Sequence, residues 1–195
     1  MLALGGGLLL LPATSHAHLV NTGLGPFYDG VSHFALTPED LLPALALALL
    51  AGQRGSRAGR LTLFALPFAW LVGGLAGLAL PMISDAPALT TASFLALGGL
   101  VAAEARLRSE WVMGLAVILG SLHGYLNGAA MAQAQLGTLG LVGIVSTLFV
   151  VVALAAAMVI AIRVPWGRIA VRVAGSWIAA VGLLLLGWTL RGATG

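Results

Sequence analysis

Residues 138–162 read TLGLVGIVSTLFVVVALAAAMVIAI and contain no charged side chain. An α-helix of this length is long enough to cross the roughly 30 Å hydrocarbon core of a bilayer. Five further apolar stretches accompany it, and the first of them is short and begins with acidic residues. They lie near residues 38–53, 60–81, 87–106, 111–133 and 169–190. The sequence therefore predicts an all-α fold, a polytopic membrane bundle of six transmembrane helices.

Composition excludes several classes of protein. The chain of 195 residues is 60% hydrophobic and only 8% charged, whereas soluble domains carry about 25% charged residues. The protein is thus not a soluble enzyme. It has no cysteine, which excludes disulfides and thiolate metal sites. All nine basic residues are Arg and fall in short clusters between apolar runs, so they do not form a nucleic-acid-binding face.

The N-terminus has the features of a secretory signal peptide, although no basic residue precedes its apolar core. A run of Leu, Ala and Gly opens the chain and is too short to span a bilayer. Ser15 and Ala17 then occupy positions −3 and −1 of a cleavage site before His18. We predict a cleaved signal peptide over residues 1–17 and a six-helix transmembrane domain over residues 18–195.

The distribution of Arg predicts the orientation. Eight of the nine Arg lie in alternate connections between the apolar stretches, and one follows the last stretch. Cytoplasmic loops are enriched in basic residues. We therefore predict a bacterial-type inner membrane protein whose mature N-terminus lies outside, where signal cleavage would also leave it. The eight residues are Arg54, Arg57, Arg60, Arg106, Arg108, Arg163, Arg168 and Arg172.

Glycines recur at every fourth position in two of the apolar stretches. One stretch contains Gly120, Gly124 and Gly128, and another contains Gly73 and Gly77. This spacing lets two helix backbones approach closely within lipid. We therefore expect these glycines to mark a tight helix–helix contact.

Two polar residues interrupt the fourth apolar stretch. His123 lies in its middle, and Asn127 follows one helical turn later on the same face. Polar groups at membrane depth are costly and often functional. They indicate either a metal or proton-relay site facing the bundle interior, or hydrogen bonds between helices that stabilise the bundle.

A second polar cluster precedes the first apolar stretch, on the predicted outer side. It contains Asp29, His33, Glu39 and Asp40. Thr37, followed by proline, is a good helix start, and acidic residues in a first turn are favoured by the helix dipole. Capping alone can explain Glu39 and Asp40. It does not explain Asp29 and His33, which share a face if this stretch is helical.

His18 would be the N-terminal residue after signal cleavage. Its free amine and imidazole together could chelate a divalent cation. Alternatively, it is an incidental residue next to the cleavage site.

Glu104 and Arg108 are four residues apart at the inner end of the third stretch. On a helix this spacing places opposite charges side by side. We expect a structural ion pair between them and assign neither residue a chemical role.

The two polar clusters read His33-x5-Glu39-Asp40 and His123-Gly-x-x-Asn127. They resemble the motifs of the HupE/UreJ family, nickel permeases associated with hydrogenase and urease. Members have a cleaved signal peptide, six spans, a His-x5-Asp-His motif and a later His-Gly-x-x-His motif. The resemblance implies metal-ligand roles for His33, Glu39 and His123. Asp40 and Asn127 stand where the family has its second histidines, so oxygen donors replace imidazoles here.

We therefore expect an inner-membrane permease for a divalent metal ion, with Ni²⁺ the first candidate, and not an enzyme. The outer cluster and His18 would capture the ion, and the cluster within the bundle would receive it. No cofactor is firmly indicated; the expected partners are the metal ion and the lipid bilayer, and a homo-oligomer is left open. A chain without Lys has no Walker A motif.

Two other classes of function are alternatives to a permease. An intramembrane protease is disfavoured because Ser121 and His123 do not share a helix face, and neither Gly-x-Ser-x-Gly nor His-Glu-x-x-His occurs. A non-transporting accessory protein, a metal sensor or a haem protein using two histidines stays open.

Overall fold

The computed structural model describes residues 22–83 and 85–192. Within them the chain forms seven α-helices and no strand. The predicted signal peptide and His18 lie outside these residues. The helices are α1 (Pro26–Leu36), α2 (Pro38–Arg54), α3 (Ser56–Ala79), α4 (Pro87–Ala102), α5 (Ser109–Gln133), α6 (Gly137–Ala161) and α7 (Pro165–Gly192).

Four of the helices, α3, α5, α6 and α7, are long and apolar enough to cross a membrane. The pair α1 and α2 also meets this test when taken together, but its two axes are bent by 71°. Helix α4 is apolar and has only 16 residues. The multi-pass, all-helical architecture is thus confirmed. Six full crossings stay a prediction, because α4 is short and the first crossing is broken.

The break between α1 and α2 falls at Thr37, as the sequence predicts. Thr37 has an extended backbone (φ −102°, ψ 95°), and Pro38 opens α2. Proline disfavours the helical conformation of the residue before it, which ends α1 here. The Thr37 hydroxyl makes no capping hydrogen bond, so the boundary is confirmed whereas the expected side-chain cap does not form. The first turn of α2, with Asp40, is thereby directed into the bundle.

The glycine pattern marks the contact of α3 with α5. A Cβ atom added at Gly124 would overlap the Trp70 carbonyl, and one added at Gly128 would overlap the Gly74 carbonyl. The two predicted glycines of α3 meet α5 carbonyls in the same way. The tight contact expected from the sequence is confirmed.

Two further helix pairs rely on backbone contact. Helix α4 packs along α7 where Gly98 meets the backbone of Gly175, and α1 packs on α6 where Gly30 meets Gly140. Helix α2 is central, since it packs against every other helix of the bundle. Its residues from Ala46 to Gly52 are all buried.

Ion pairs collect at the end of the bundle where the Arg-rich connections lie. Glu104 accepts a hydrogen bond from Arg168 of α7 and lies 4.0 Å from the Arg54 guanidinium of α2. The Arg168 hydrogen bond is the main reason that the pKa of Glu104 lies below its usual range. The expected Glu104–Arg108 pair is wrong, because α4 ends at Ala102 and Glu104 has φ +50°.

Candidate functional site

Three of the predicted polar residues meet inside the bundle. His123 Nδ1 lies 2.9 Å from Asp40 Oδ1, and Asn127 Nδ2 donates to Asp40 Oδ2 at 2.8 Å. Their exposed fractions are 1% for His123, 3% for Asn127 and 7% for Asp40. The outer acidic cluster and the polar pair of α5, separate in sequence, thus contribute to one buried site.

Local helix geometry positions each of these side chains. His123 and Asn127 are four residues apart on α5, and Asn127 Nδ2 also donates to the His123 carbonyl at 3.0 Å. Asp40 lies in the first turn of α2, where the helix dipole stabilises a carboxylate. The α5 pair and the α2 terminus therefore face each other with complementary donors and acceptors.

A fourth member, Ser93 of α4, was not predicted. Its Oγ lies 3.0 Å from His123 Nε2 and donates to the Leu89 carbonyl at 2.9 Å. A serine in a transmembrane helix usually makes only this second, intrahelical bond. Since α4 carries further hydroxyl residues, nothing in the sequence distinguishes Ser93; only the approach of α4 to α5 reveals it.

Aromatic rings line one side of the site. The Trp70 indole lies near the His123 imidazole, with ring centroids 5.7 Å apart and the rings tilted by 35°, and Phe34 meets Trp70 edge-on at 5.7 Å. Both aromatic side chains are fully buried. Charges and hydrogen bonds interact more strongly in such low-dielectric surroundings than in water.

His33 adjoins the site from α1. Its half-buried imidazole lies beside the Asn127 side chain and within electrostatic reach of Asp40. Asn127 Oδ1 is buried, and the neighbouring His33 imidazole is the group that can donate a hydrogen bond to it. The second imidazole of the predicted set is therefore next to an oxygen atom that no other side chain satisfies.

Two predicted candidates do not join this site. Asp29 is buried in the first turn of α1 and accepts hydrogen bonds from the Thr22 backbone N–H at 2.7 Å and hydroxyl at 2.6 Å. The Glu39 side chain is exposed on the surface of the bundle. A third candidate, His18, lies outside the described residues.

The donor set is mixed. No group of three or more His, Asp or Glu side chains within residues 22–83 and 85–192 is arranged to hold a metal ion. The site instead combines an imidazole, a carboxylate, a carboxamide and a hydroxyl. Nitrogen and oxygen ligands of this kind suit borderline divalent cations, and the carboxamide oxygen of Asn127 is a neutral oxygen ligand for such an ion.

Comparison with known proteins gives one match. The family model described as HupE / UreJ protein matches residues 7–185. This chain belongs to the HupE/UreJ family. No curated protein and no solved structure matches it.

Membership of the HupE/UreJ family points to nickel or cobalt transport, or to an accessory role for urease and hydrogenase. The matched region contains α1 to α6 and most of α7. Both sequence segments that carry the resemblance lie inside it. They contribute Asp40, His123 and Asn127 to the buried site and His33 to its border.

Proposed function

We propose that this HupE/UreJ protein is an inner-membrane permease for a divalent metal ion, with Ni²⁺ the first candidate. The buried site of Asp40, His123 and Asn127 would bind the ion on its path. One observation carries the proposal: an imidazole, a carboxylate and a carboxamide meet, all buried, within a multi-pass helical bundle, and a second imidazole borders them.

The donors of this site suit a transported ion. Asp40 supplies the negative charge that offsets part of the desolvation of a divalent cation. His123 supplies an imidazole, a ligand that Ni²⁺ accepts readily, and Asn127 supplies a neutral oxygen. A site with few charged ligands binds with moderate affinity, which conduction requires because the ion must also leave.

His33 is the next ligand along the proposed path. His33 is a half-buried residue of α1, and its imidazole adjoins the buried Asn127 side chain. An ion entering from the predicted outer side would meet this imidazole before it reaches His123. Capture by His18 at the mouth belongs to the same proposal.

A non-transporting accessory role is the second candidate. Both ring nitrogens of His123 are hydrogen-bonded, to Asp40 and to Ser93. A purely structural network between helices would have the same saturated imidazole. Transport and accessory roles therefore differ in whether a cation can replace these bonds.

Metal uptake into proteoliposomes tests the proposal. We expect the protein to take up one or more of Ni²⁺, Co²⁺, Zn²⁺ and Mn²⁺ when these are measured in parallel. His123→Ala and His33→Ala remove ligands and should each lower uptake by on the order of tenfold or more. Ser176→Ala is the matched control, because it truncates an exposed polar side chain of α7 that bonds the Arg172 carbonyl of its own helix. It should leave uptake unchanged.

Uptake that persists in His123→Ala would show that the buried site does not lie on the transport path. Absence of uptake of every ion by the folded protein would favour the accessory role instead.

A further inference from the structure

The seven helices form two packing units that share α2. Helices α1, α3, α5 and α6 pack on one another and form a unit that we call the body. Helices α4 and α7 pack along each other and form a unit that we call the arm. Apart from its connecting loops, the arm rests on α2 and makes at most slight contact with the four helices of the body.

Each unit is close-packed internally. In the arm, Cβ atoms added at Gly98 or Gly182 would overlap the facing helix. In the body, Gly124 and Gly128 of α5 meet α3 backbone in the same manner. Helix pairs held by backbone contact have little freedom to slide within a unit. Relative motion is therefore expected at the boundary between the units.

The candidate site lies on this boundary. The Ser93–His123 hydrogen bond joins α4 of the arm to α5 of the body. Near the Arg-rich end, Glu104 of the α4–α5 loop contacts Arg168 of α7 and Arg54 of α2. Among the described residues, ion pairs and the hydrogen bond from Gln53 of α2 to the Val101 carbonyl hold the arm at that end, and the Ser93–His123 hydrogen bond joins it to the body deeper in the bundle.

His123 has no free ring nitrogen for a cation. Nδ1 faces Asp40, and Nε2 faces Ser93. While Nδ1–H stays donated to the Asp40 carboxylate, a cation must reach Nε2 by displacing Ser93, and Asp40 then orients the imidazole and supplies the nearby negative charge. This displacement is the less costly one, because the Ser93 hydroxyl, once it no longer donates to Nε2, can donate its single proton to the Leu89 carbonyl 2.9 Å away.

We propose that α4 and α7 move together as an arm against the body, and that Ser93 is the positioning residue that holds the arm closed. Binding of the cation at His123 Nε2 breaks the Ser93–His123 bond and releases the arm. With the Glu104 ion pairs intact, the units separate first at the end away from the Arg-rich connections. The cation-dependent part of this inference rests on the proposed function; the two-unit architecture does not.

Distances between spin labels on the full chain test this inference, since the protein has no cysteine of its own. All labelled positions are exposed. Ala92→Cys with Leu122→Cys reports on arm against body. Val72→Cys with Leu122→Cys reports within the body, and Ala92→Cys with Leu184→Cys reports within the arm. Zn²⁺ serves as a diamagnetic probe that does not disturb the labels.

Ser93→Ala should lengthen or broaden the arm–body distance by on the order of 5 Å, as in other rigid-body shifts of packed helices, and leave the other two distances unchanged. Thr91→Ala, which truncates a neighbouring buried hydroxyl residue of α4, should change none of them. Addition of Zn²⁺ to the protein with native Ser93 should reproduce the arm–body change.

An arm–body distance that is unchanged in Ser93→Ala, or a change shared by all three labelled pairs, would contradict the inference that α4 and α7 move as one unit against the body. A change in Ser93→Ala without any change on adding Zn²⁺ would overturn the cation-driven release. If uptake occurs while the arm–body distance stays fixed, only this inference fails. If Ser93→Ala opens the arm but no ion is taken up, the permease and the cation-dependent part of this inference fail, while the two-unit architecture stands.

Discussion

At the scale of the residue, two adjacent acids have different environments. Glu39 and Asp40 both lie in the first turn of α2, and successive residues of a helix point about 100° apart. Asp40 consequently faces His123, whereas Glu39 is exposed. The family resemblance implies Glu39 as the acidic ligand. In the structure the acidic residue at the site is instead Asp40, which stands where the family motif has a histidine.

Asp40→Asn should therefore weaken binding of the transported ion by tenfold or more, because it removes the buried negative charge. The amide is isosteric with the carboxylate, so the bundle should stay folded. Isothermal titration of the detergent-solubilised protein with Ni²⁺ and Co²⁺ measures the affinity. Glu39→Gln removes the same charge one residue away and should have an effect of twofold or less; equal losses in both variants would contradict the assignment.

At the scale of the element, α5 has two kinds of glycine. Gly124 and Gly128 lie where α5 contacts the α3 backbone, and a side chain at either position would overlap it. Gly114 has open space around it. The same helix contributes His123 and Asn127 to the site. Close approach of the two backbones thus determines how deeply these polar side chains lie within the bundle.

Gly128→Ala should destabilise the protein by about 1–3 kcal/mol or more, since the new methyl group overlaps the Gly74 carbonyl. Gly114→Ala adds the same methyl group to the same helix and should be neutral or stabilise by up to about 1 kcal/mol. Thermal unfolding in detergent measures both. A Gly128→Ala protein as stable as Gly114→Ala would show that the α3–α5 contact can relax.

At the scale of the whole molecule, three connections meet at one end. The links α2–α3, α4–α5 and α6–α7 carry Arg, and ion pairs through Glu104 and Glu110 join them there. The structure thus places these Arg residues together at one end of the bundle. The positive-inside rule then predicts that this end is cytoplasmic.

Single cysteines test this orientation on the naturally cysteine-free chain. Asp85→Cys lies in the α3–α4 connection and Ala103→Cys in the α4–α5 connection, and both positions are exposed. A membrane-impermeant maleimide applied to intact spheroplasts should label Asp85→Cys only. Ala103→Cys should react after the membrane is permeabilised; the reverse pattern would invert the predicted topology.

Features that depend on local order along the chain follow from the amino-acid sequence alone. Hydropathy located α2 to α7 but not α1, proline located the start of α2 after Thr37, and the fourfold glycine spacing located the α3–α5 contact. The sequence also singled out His123 and Asn127, because uncompensated polar residues are conspicuous within apolar stretches. Asp40 was one of four candidates in the outer cluster, and helix capping alone could explain it.

Which polar groups meet depends on the packing of the folded bundle. In the bundle Asp40, and not Glu39, faces His123, and Asp29 accepts hydrogen bonds from Thr22. Ser93 approaches His123. Glu104 pairs with Arg168 instead of Arg108. These outcomes depend on the rotation and approach of whole helices. Apolar periodicity carries little of that information where a helix is apolar all round, as α4 and α6 are.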